Sequence, residues 1–340
     1  MKCLPATKLP ESHGVGIHDW HAEILAIRTF NRYLLDECSR SQHPISKDLL
    51  IANDQFKSNA SKPFGINPRV KLHMYCSEAP CGDASMELTM AAQDDASPWD
   101  QPETMPKDSS DLPGRAYFSQ LGIVRRKPAR GDAQPTLSKS CSDKLSLKQC
   151  TSLLSSLASL FIEVENAYID TLVLPASQFS ETACQRAFSA TGRMSKLANK
   201  QWGEGYAFKP FNIETTTVEF EYSKLSVKAR SDSISASNIA AAWSLSGVEE
   251  SILGGVLQGR KPFSLKGASA MSRKMMWSAA SDLAEKVPDY PHISEDLSSH
   301  TYKEVKDGPL LAERRKVKSD VRGTALSGWI RSNGDESFTK

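Results

Sequence analysis

The chain has 340 residues, 39% of them hydrophobic and 24% charged, with a formal net charge of +2. That length holds one large or two ordinary domains with a sizeable core, and so balanced a charge does not announce a nucleic-acid partner, so any basic surface must be local. No apolar run reaches bilayer length and the N-terminus lacks the apolar core of a signal peptide. An intracellular protein of the cytoplasm or nucleus, without a membrane or DNA partner, is therefore expected. Seven cysteines without regular spacing fit reduced thiols better than a disulfide framework.

In chain order, Asp19-Trp20-His21-Ala22-Glu23 opens the first clear element. Asp19 is a natural cap for a helix running to about Glu37, with Ile24, Ile27, Leu34 and Leu35 as an apolar stripe and His21, Leu25 and Arg28 on one face. Residues 70–77 alternate as a strand, which Pro80 breaks so that Cys81 begins a helix. A helix N-terminus favours a thiolate, because its free N–H groups and dipole stabilise negative charge. Residues 93–114, rich in Pro, Asp and Ser, predict a long surface insertion within a single domain spanning 1–340, since motif residues lie on both sides.

A strand-like run at residues 117–124 precedes the basic residues Arg125, Arg126, Lys127 and Arg130. After Ser140-Cys141-Ser142-Asp143-Lys144 a helical stripe runs through Leu147, Cys150, Leu154, Leu157 and Phe161, and residues 168–174 predict the next strand. This alternation of strand and helix is the rhythm of an α/β sheet. Near the C-terminus Lys303, Lys306, Arg314, Arg315, Lys316, Lys318 and Arg322 form a second basic run. Such runs are ordinarily solvated helix faces or loops.

The chemistry of these motifs points to a metal. One imidazole and two thiolates hold zinc with a fourth position left for water, and a nearby carboxylate that is not a ligand moves protons for a base deaminase. Glu23, two residues after His21, suits that role. The common deaminase signature places two cysteines in a PCxxC turn, but here Ala84 stands in the second place. Cys76, Cys141 and Cys150 are candidates for the third ligand; spacing does not choose among them, and packing is the ordinary role of a buried thiol.

Residues 15–37 (VGIHDWHAEILAIRTFNRYLLDE), 80–85 (PCGDAS) and 137–150 (LSKSCSDKLSLKQC) closely resemble the adenosine deaminase domain shared by RNA-editing and tRNA-specific adenosine deaminases. The stretches LPGRAYFSQLGIVRRKPAR and ALSGWIRSNGDESF resemble its fungal tRNA branch, which converts the adenosine 3′ of the anticodon of tRNA-Ala to inosine. The resemblance implies a cytidine-deaminase-like α/β core, with a central mixed sheet flanked by helices and C-terminal helices enclosing a buried polyanion site. It implies zinc on His21, Cys81 and Cys141, with Glu23 as proton shuttle. It also implies a buried inositol hexakisphosphate held by Arg28, Lys144, Lys261, Tyr302, Lys306, Arg314 and Trp329, with Asp19 and Lys144 relaying between the two sites. Arg28 lies roughly 10 Å along one helix from His21, at about 1.5 Å per residue, so one helix reaches both sites.

Departures accompany the match. Ile27 replaces the first of an Arg pair common in the family, and Arg331 and Ser332 replace a Glu-Lys pair beside Trp329. Family domains carry an N-terminal helix and first strand before the segment like Met1-Lys2-Cys3-Leu4, so the chain is expected to start inside that strand. Residues 126–133, where duplex editors carry a flipping residue, offer no clear wedge. That favours a tRNA loop over long duplexes, with Arg125, Arg126, Lys127 and Arg130 on loop phosphates. An editor of other structured RNA and an inactive RNA-binding remnant are the alternatives.

Overall fold

The computed structural model describes residues 2–40, 45–46, 48–52, 61–94, 119–127, 134–235 and 237–340. Most of the expected insertion, the run at 117–118 and Arg130 lie outside the described residues. The N-terminal strand-like segment lies antiparallel to the first motif: Trp20 N–H donates to the Lys2 carbonyl and Leu4 N–H to the His18 carbonyl, both at 2.9 Å. A short turn of helix, α1 (Leu9–Ser12), follows, and then α2 (Ala22–Ser39), whose inward positions include Leu25, Ile27, Leu34 and Leu35. Asp19 does not cap α2; His21 occupies that position, and Asp19 turns its carboxylate inward.

The strands form separate sheets. The pair β1 (Leu50–Ala52) and β2 (Phe64–Ile66) is antiparallel. The strands β3 (His73–Tyr75), β4 (Thr171–Pro175) and β5 (Asn212–Thr216) form a parallel sheet with β4 in the middle. The expected mixed sheet is thus present as pieces that do not close into one among the described residues. Between β3 and β4 run α3 (Met86–Ala91), α4 (Cys141–Thr151) and the turn α5 (Ala158–Phe161). Cys81 itself precedes a 3-10 turn at Asp83–Ser85, so the helix expected to start there begins five residues later, with α3. The stripe expected to continue from Cys141 to Phe161 breaks at Ser152, whose φ of +58° ends α4.

Beyond β4 lie α6 (Glu181–Phe188) and, after β5, α7 (Lys224–Lys228). A three-stranded antiparallel sheet of β6 (Ala240–Trp243), β7 (Glu249–Leu253) and β8 (Val256–Leu257) follows. The chain closes with α8 (Arg273–Ala284), α9 (Pro291–Leu297), α10 (Tyr302–Asp307) and α11 (Ala312–Gly323).

Three apolar clusters fix where the site sits. Ile27 of α2, Leu145 of α4 and Cys184 and Phe188 of α6 bury against Leu172 and Leu174 of β4. Leu34 and Leu35 of α2 pack with Cys150 of α4, Trp277 of α8, Val305 of α10 and Val317 of α11. Leu25 of α2 joins Leu4, Ile17 and Trp20 beneath Ala240, Ala242 and Ile252 of the β6–β7 hairpin. Helix α2 belongs to all three clusters, which anchors its N-terminus, and with it His21 and Glu23, against rigid surroundings. Full burial of one such Leu or Ile is worth about 1.5–3 kcal/mol.

Candidate zinc and deaminase centre

His21 Nδ1, Cys81 Sγ and Cys141 Sγ converge, drawn from the start of α2, the turn after β3 and the first residue of α4. The imidazole nitrogen lies 3.9 Å from the Cys81 sulfur and 3.8 Å from the Cys141 sulfur. Zinc donors at about 2.0–2.3 Å and tetrahedral angles would stand about 3.6 Å apart, close to these two separations. The two sulfurs resist ionising together: the Cys141 thiol beside it holds Cys81 well below the usual thiol range, while burial first and then the Cys81 charge push Cys141 up. A dication removes that conflict, so the donor set fits zinc. Cys76 and Cys150 are buried in apolar packing outside the cluster.

Local chemistry builds each motif. The Ser140 side chain caps α4 by accepting from Asp143 N–H at 3.1 Å, which places Cys141 at the helix start. Ser142 ties the second motif to the third, donating to the Pro80 carbonyl at 2.9 Å and accepting from Ala84 N–H at 3.1 Å. Cys141 N–H donates to the Cys81 sulfur at 3.4 Å. Two residues missed by sequence reasoning brace the carboxylates of these motifs: Arg193 meets Asp143 at 2.6 Å and Arg186 meets Asp83 at 3.1 Å. Their one sequence signal was that Asp83 and Asp143, if buried, would need cationic partners.

Glu23 lies in the first turn of α2 and lines an open cleft of about 2050 Å³ together with His21, Cys76 and Cys81. Burial, reinforced by the Cys81 charge, raises its carboxyl above the ordinary range. A carboxylate so tuned holds and releases protons nearer neutral pH.

Behind the cluster Asp19 is buried. It accepts from Lys127 Nζ at 2.8 Å, from Ser138 Oγ at 2.7 Å and from Lys144 Nζ, while its other oxygen takes His21 N–H at 3.0 Å. Burial opposes its charge, but Lys127 and Lys144 outweigh that and hold it well below the usual carboxylate range. Lys127 also donates to Cys141 Sγ at 3.2 Å. Lys127, expected on RNA phosphates, has its ammonium buried against Asp19 and the Cys141 sulfur. Arg125, expected in the same role, is also buried, next to Asp143. Arg126 is half-buried, and its backbone pairs antiparallel with that of Lys139.

The C-terminal basic run divides by helical period. Arg314, Lys318 and Arg322, four residues apart on α11, share one face, while Lys316 is largely exposed. Arg314 donates to the Thr151 carbonyl at 2.7 Å, and Lys306 to Ser156 Oγ at 2.7 Å. Lys148, absent from the sequence-based set, joins them. Burial, then Arg314, Lys306 and Arg28, pulls it well below the ordinary lysine range. Burial, then Arg314, Arg273 and Arg322, pulls Lys306 down to about 7. Burial, then Arg273, brings Arg28 to about 10. The Nε atoms of Arg314 and Arg322 are buried with no hydrogen-bond partner. Tyr302 lies beside Arg273 and Arg28, and the Arg322 guanidinium sits 5.1 Å over the Trp329 ring. So many mutually repelling cations with orphaned N–H donors fit a polyanion. Lys261, expected at this site, is instead exposed after β8, where its carbonyl accepts a turn hydrogen bond from Ser264.

The three motifs, brought to one cleft from distant parts of the chain, agree with a whole-chain match: the adenosine-deaminase (editase) domain profile covers residues 1–333. The chain belongs to the adenosine-deaminase (editase) domain family. It is 34% identical over 344 residues to tRNA-specific adenosine deaminase 1 of Schizosaccharomyces pombe, covering 99% of this chain and 82% of that protein. The Saccharomyces cerevisiae protein of the same name is 31% identical over 350 residues, covering 99% of this chain and 80% of its own length. The human one is 30% identical over 239 residues, covering 66% of this chain and 45% of that protein. Among the described residues no helix is long and apolar enough to cross a membrane.

Proposed function

We propose that this adenosine deaminase hydrolyses an unpaired adenosine of tRNA to inosine and ammonia, and that its target is the adenosine 3′ of the anticodon of tRNA-Ala. The observation that carries the reading is the convergence of His21, Cys81 and Cys141 beside Glu23 in one cleft, in a chain related over 99% of its length to tRNA-specific deaminases. When bound, zinc lowers the pKa of a water from about 15.7 toward about 7, making hydroxide available at neutral pH. Glu23 takes one proton of the attacking water and delivers it to N1 as the oxygen adds to C6, then carries the second proton of that oxygen to the amino nitrogen as the C6–N bond breaks and ammonia leaves. Asp19 and Lys127 hold the Cys141 sulfur and the His21 backbone in place from behind.

The cationic interior is assigned to one inositol hexakisphosphate. Arg28, Lys148, Lys306, Arg314, Lys318 and Arg322 would hold its phosphates, with Tyr302 and Trp329 at its edge and Lys144 leading through Asp19 toward the zinc ligands. Orphaned guanidinium N–H groups in a setting with few carboxylates support that assignment.

An anticodon-loop adenosine is favoured over a duplex one because unstacking costs a few kcal/mol that a loop base has already lost. Incubation with tRNA-Ala, its anticodon stem-loop and a long duplex RNA, followed by mass mapping of nuclease fragments, tests this. Inosine should appear at the position 3′ of the anticodon and rarely in the duplex. Equal conversion of the duplex would replace tRNA with structured RNA in general.

A further inference from the structure

With Arg125 and Lys127 committed to the interior, the cleft needs another surface for the nucleotides around the target base. Large aromatic rings stand at its mouth on two separate segments. Trp243, at the end of β6, is 68% exposed, and Tyr222, just before α7, is also 68% exposed. Strand alternation explains the first: Ala240 and Ala242 turn into the core, so Ala241 and Trp243 turn outward. Phe220 and Tyr75 are partly exposed near by, and Phe220 meets Tyr222 edge-on with ring centroids 5.7 Å apart. Single exposed apolar residues are ordinary. Here four aromatic residues from three parts of the chain line the same cleft as His21 and Glu23.

The charge around them is mixed. Lys224 and Arg126 line the cleft, as does Glu78, which accepts from Lys224 N–H at 2.6 Å, and Arg230 lies 5.9 Å over the Tyr222 ring. Attraction for phosphates alone does not explain such a surface. Exposed rings beside a few cations are how proteins grip unpaired nucleotides, because every base offers a π face.

We propose that Tyr222 and Trp243 form a stacking platform for the unpaired nucleotides flanking the target adenosine. The inference rests on the reading above that the substrate is a loop of RNA. Stacking on an exposed ring sets affinity, so each truncation should weaken binding roughly 5- to 100-fold without removing a group that transfers protons.

The test uses the full-length, zinc-loaded protein and an anticodon stem-loop carrying 2-aminopurine beside the target adenosine. Wild type should quench the 2-aminopurine on binding and make inosine. Tyr222→Ala and Trp243→Ala should weaken binding about tenfold or more and lose part of the quench, with unchanged melting midpoints. Tyr222→Phe and Trp243→Phe, which keep a ring, should recover most of the affinity. Alanine variants that bind and quench within twofold of wild type overturn the platform while leaving the tRNA reading intact. A wild type that neither binds nor deaminates the stem-loop overturns that reading, and the platform with it.

Discussion

Glu23 is placed by its neighbours more than by its own contacts. His21 begins α2, so the residue two positions later enters the first turn facing the cleft. That spacing was legible in the sequence, as were His21 and Cys81, whereas spacing left Cys76, Cys141 and Cys150 open and only the family resemblance pointed to Cys141. What spacing does not encode is which cations are buried. Arg125 and Lys127 belong to a run that composition assigns to a solvated surface, yet both are held inside, Arg125 by the charges of Asp83 and Asp143 and Lys127 by that of Asp19. Their carboxylates supply the compensation that a buried charge requires. Glu23→Gln preserves size and removes the proton acceptor. It should keep zinc content and tRNA affinity while single-turnover inosine formation falls about 100- to 10,000-fold. A mutant rate within a few fold of wild type would remove Glu23 from proton transfer.

At the scale of elements, the site depends on a close approach between the turn after β3 and the start of α4. Gly82 has a φ of +105°, and a Cβ built there would lie 2.3 Å from Ser140 Oγ and 2.4 Å from Ser140 Cβ. Gly82→Ala should therefore push the Cys81 turn away from Cys141 and reduce zinc retained after dialysis by an order of magnitude or more, while α2 keeps its apolar packing. Metal content equal to wild type would mean the turn relaxes without moving the sulfur.

The same scale explains several differences from sequence reasoning. Apolar periodicity marks α2 well, because its stripe serves three clusters along one helix. Periodicity continued past Cys150 without predicting the break at Ser152, since residues on both sides of that break are buried. The inward face of α11 was present in the four-residue spacing of Arg314, Lys318 and Arg322. It was hidden because cations at helical spacing ordinarily face water.

Taken whole, the molecule is built around two adjoining charged interiors, one carrying the His21, Cys81 and Cys141 donor set and one cationic. On the proposed assignment of a polyanion to the second, stability should depend on pH and on that anion. In protein stripped of polyanion, Lys306 titrates near 7 when folded, because burial and Arg314 oppose its charge, against its ordinary 10.5 when unfolded. Lys148 and Lys318 shift in the same direction. Between those values the unfolded chain binds more protons, so stability rises as pH climbs from about 7 toward 10.5. With polyanion bound the lysines stay charged in the fold, and that rise disappears. The melting midpoint of stripped protein should therefore increase from pH 7 to about pH 9.5 and approach that of protein reloaded with inositol hexakisphosphate. A flat or falling profile would place these side chains in contact with water.

Zinc-dependent turnover tests the central claim most directly. Protein treated with a chelator should lose inosine formation on tRNA-Ala and regain it when one equivalent of zinc per chain is restored, with Cys141→Ala recovering neither metal nor activity. Inosine formed at the full rate by metal-free protein, or none formed by protein carrying one zinc per chain, would contradict the account.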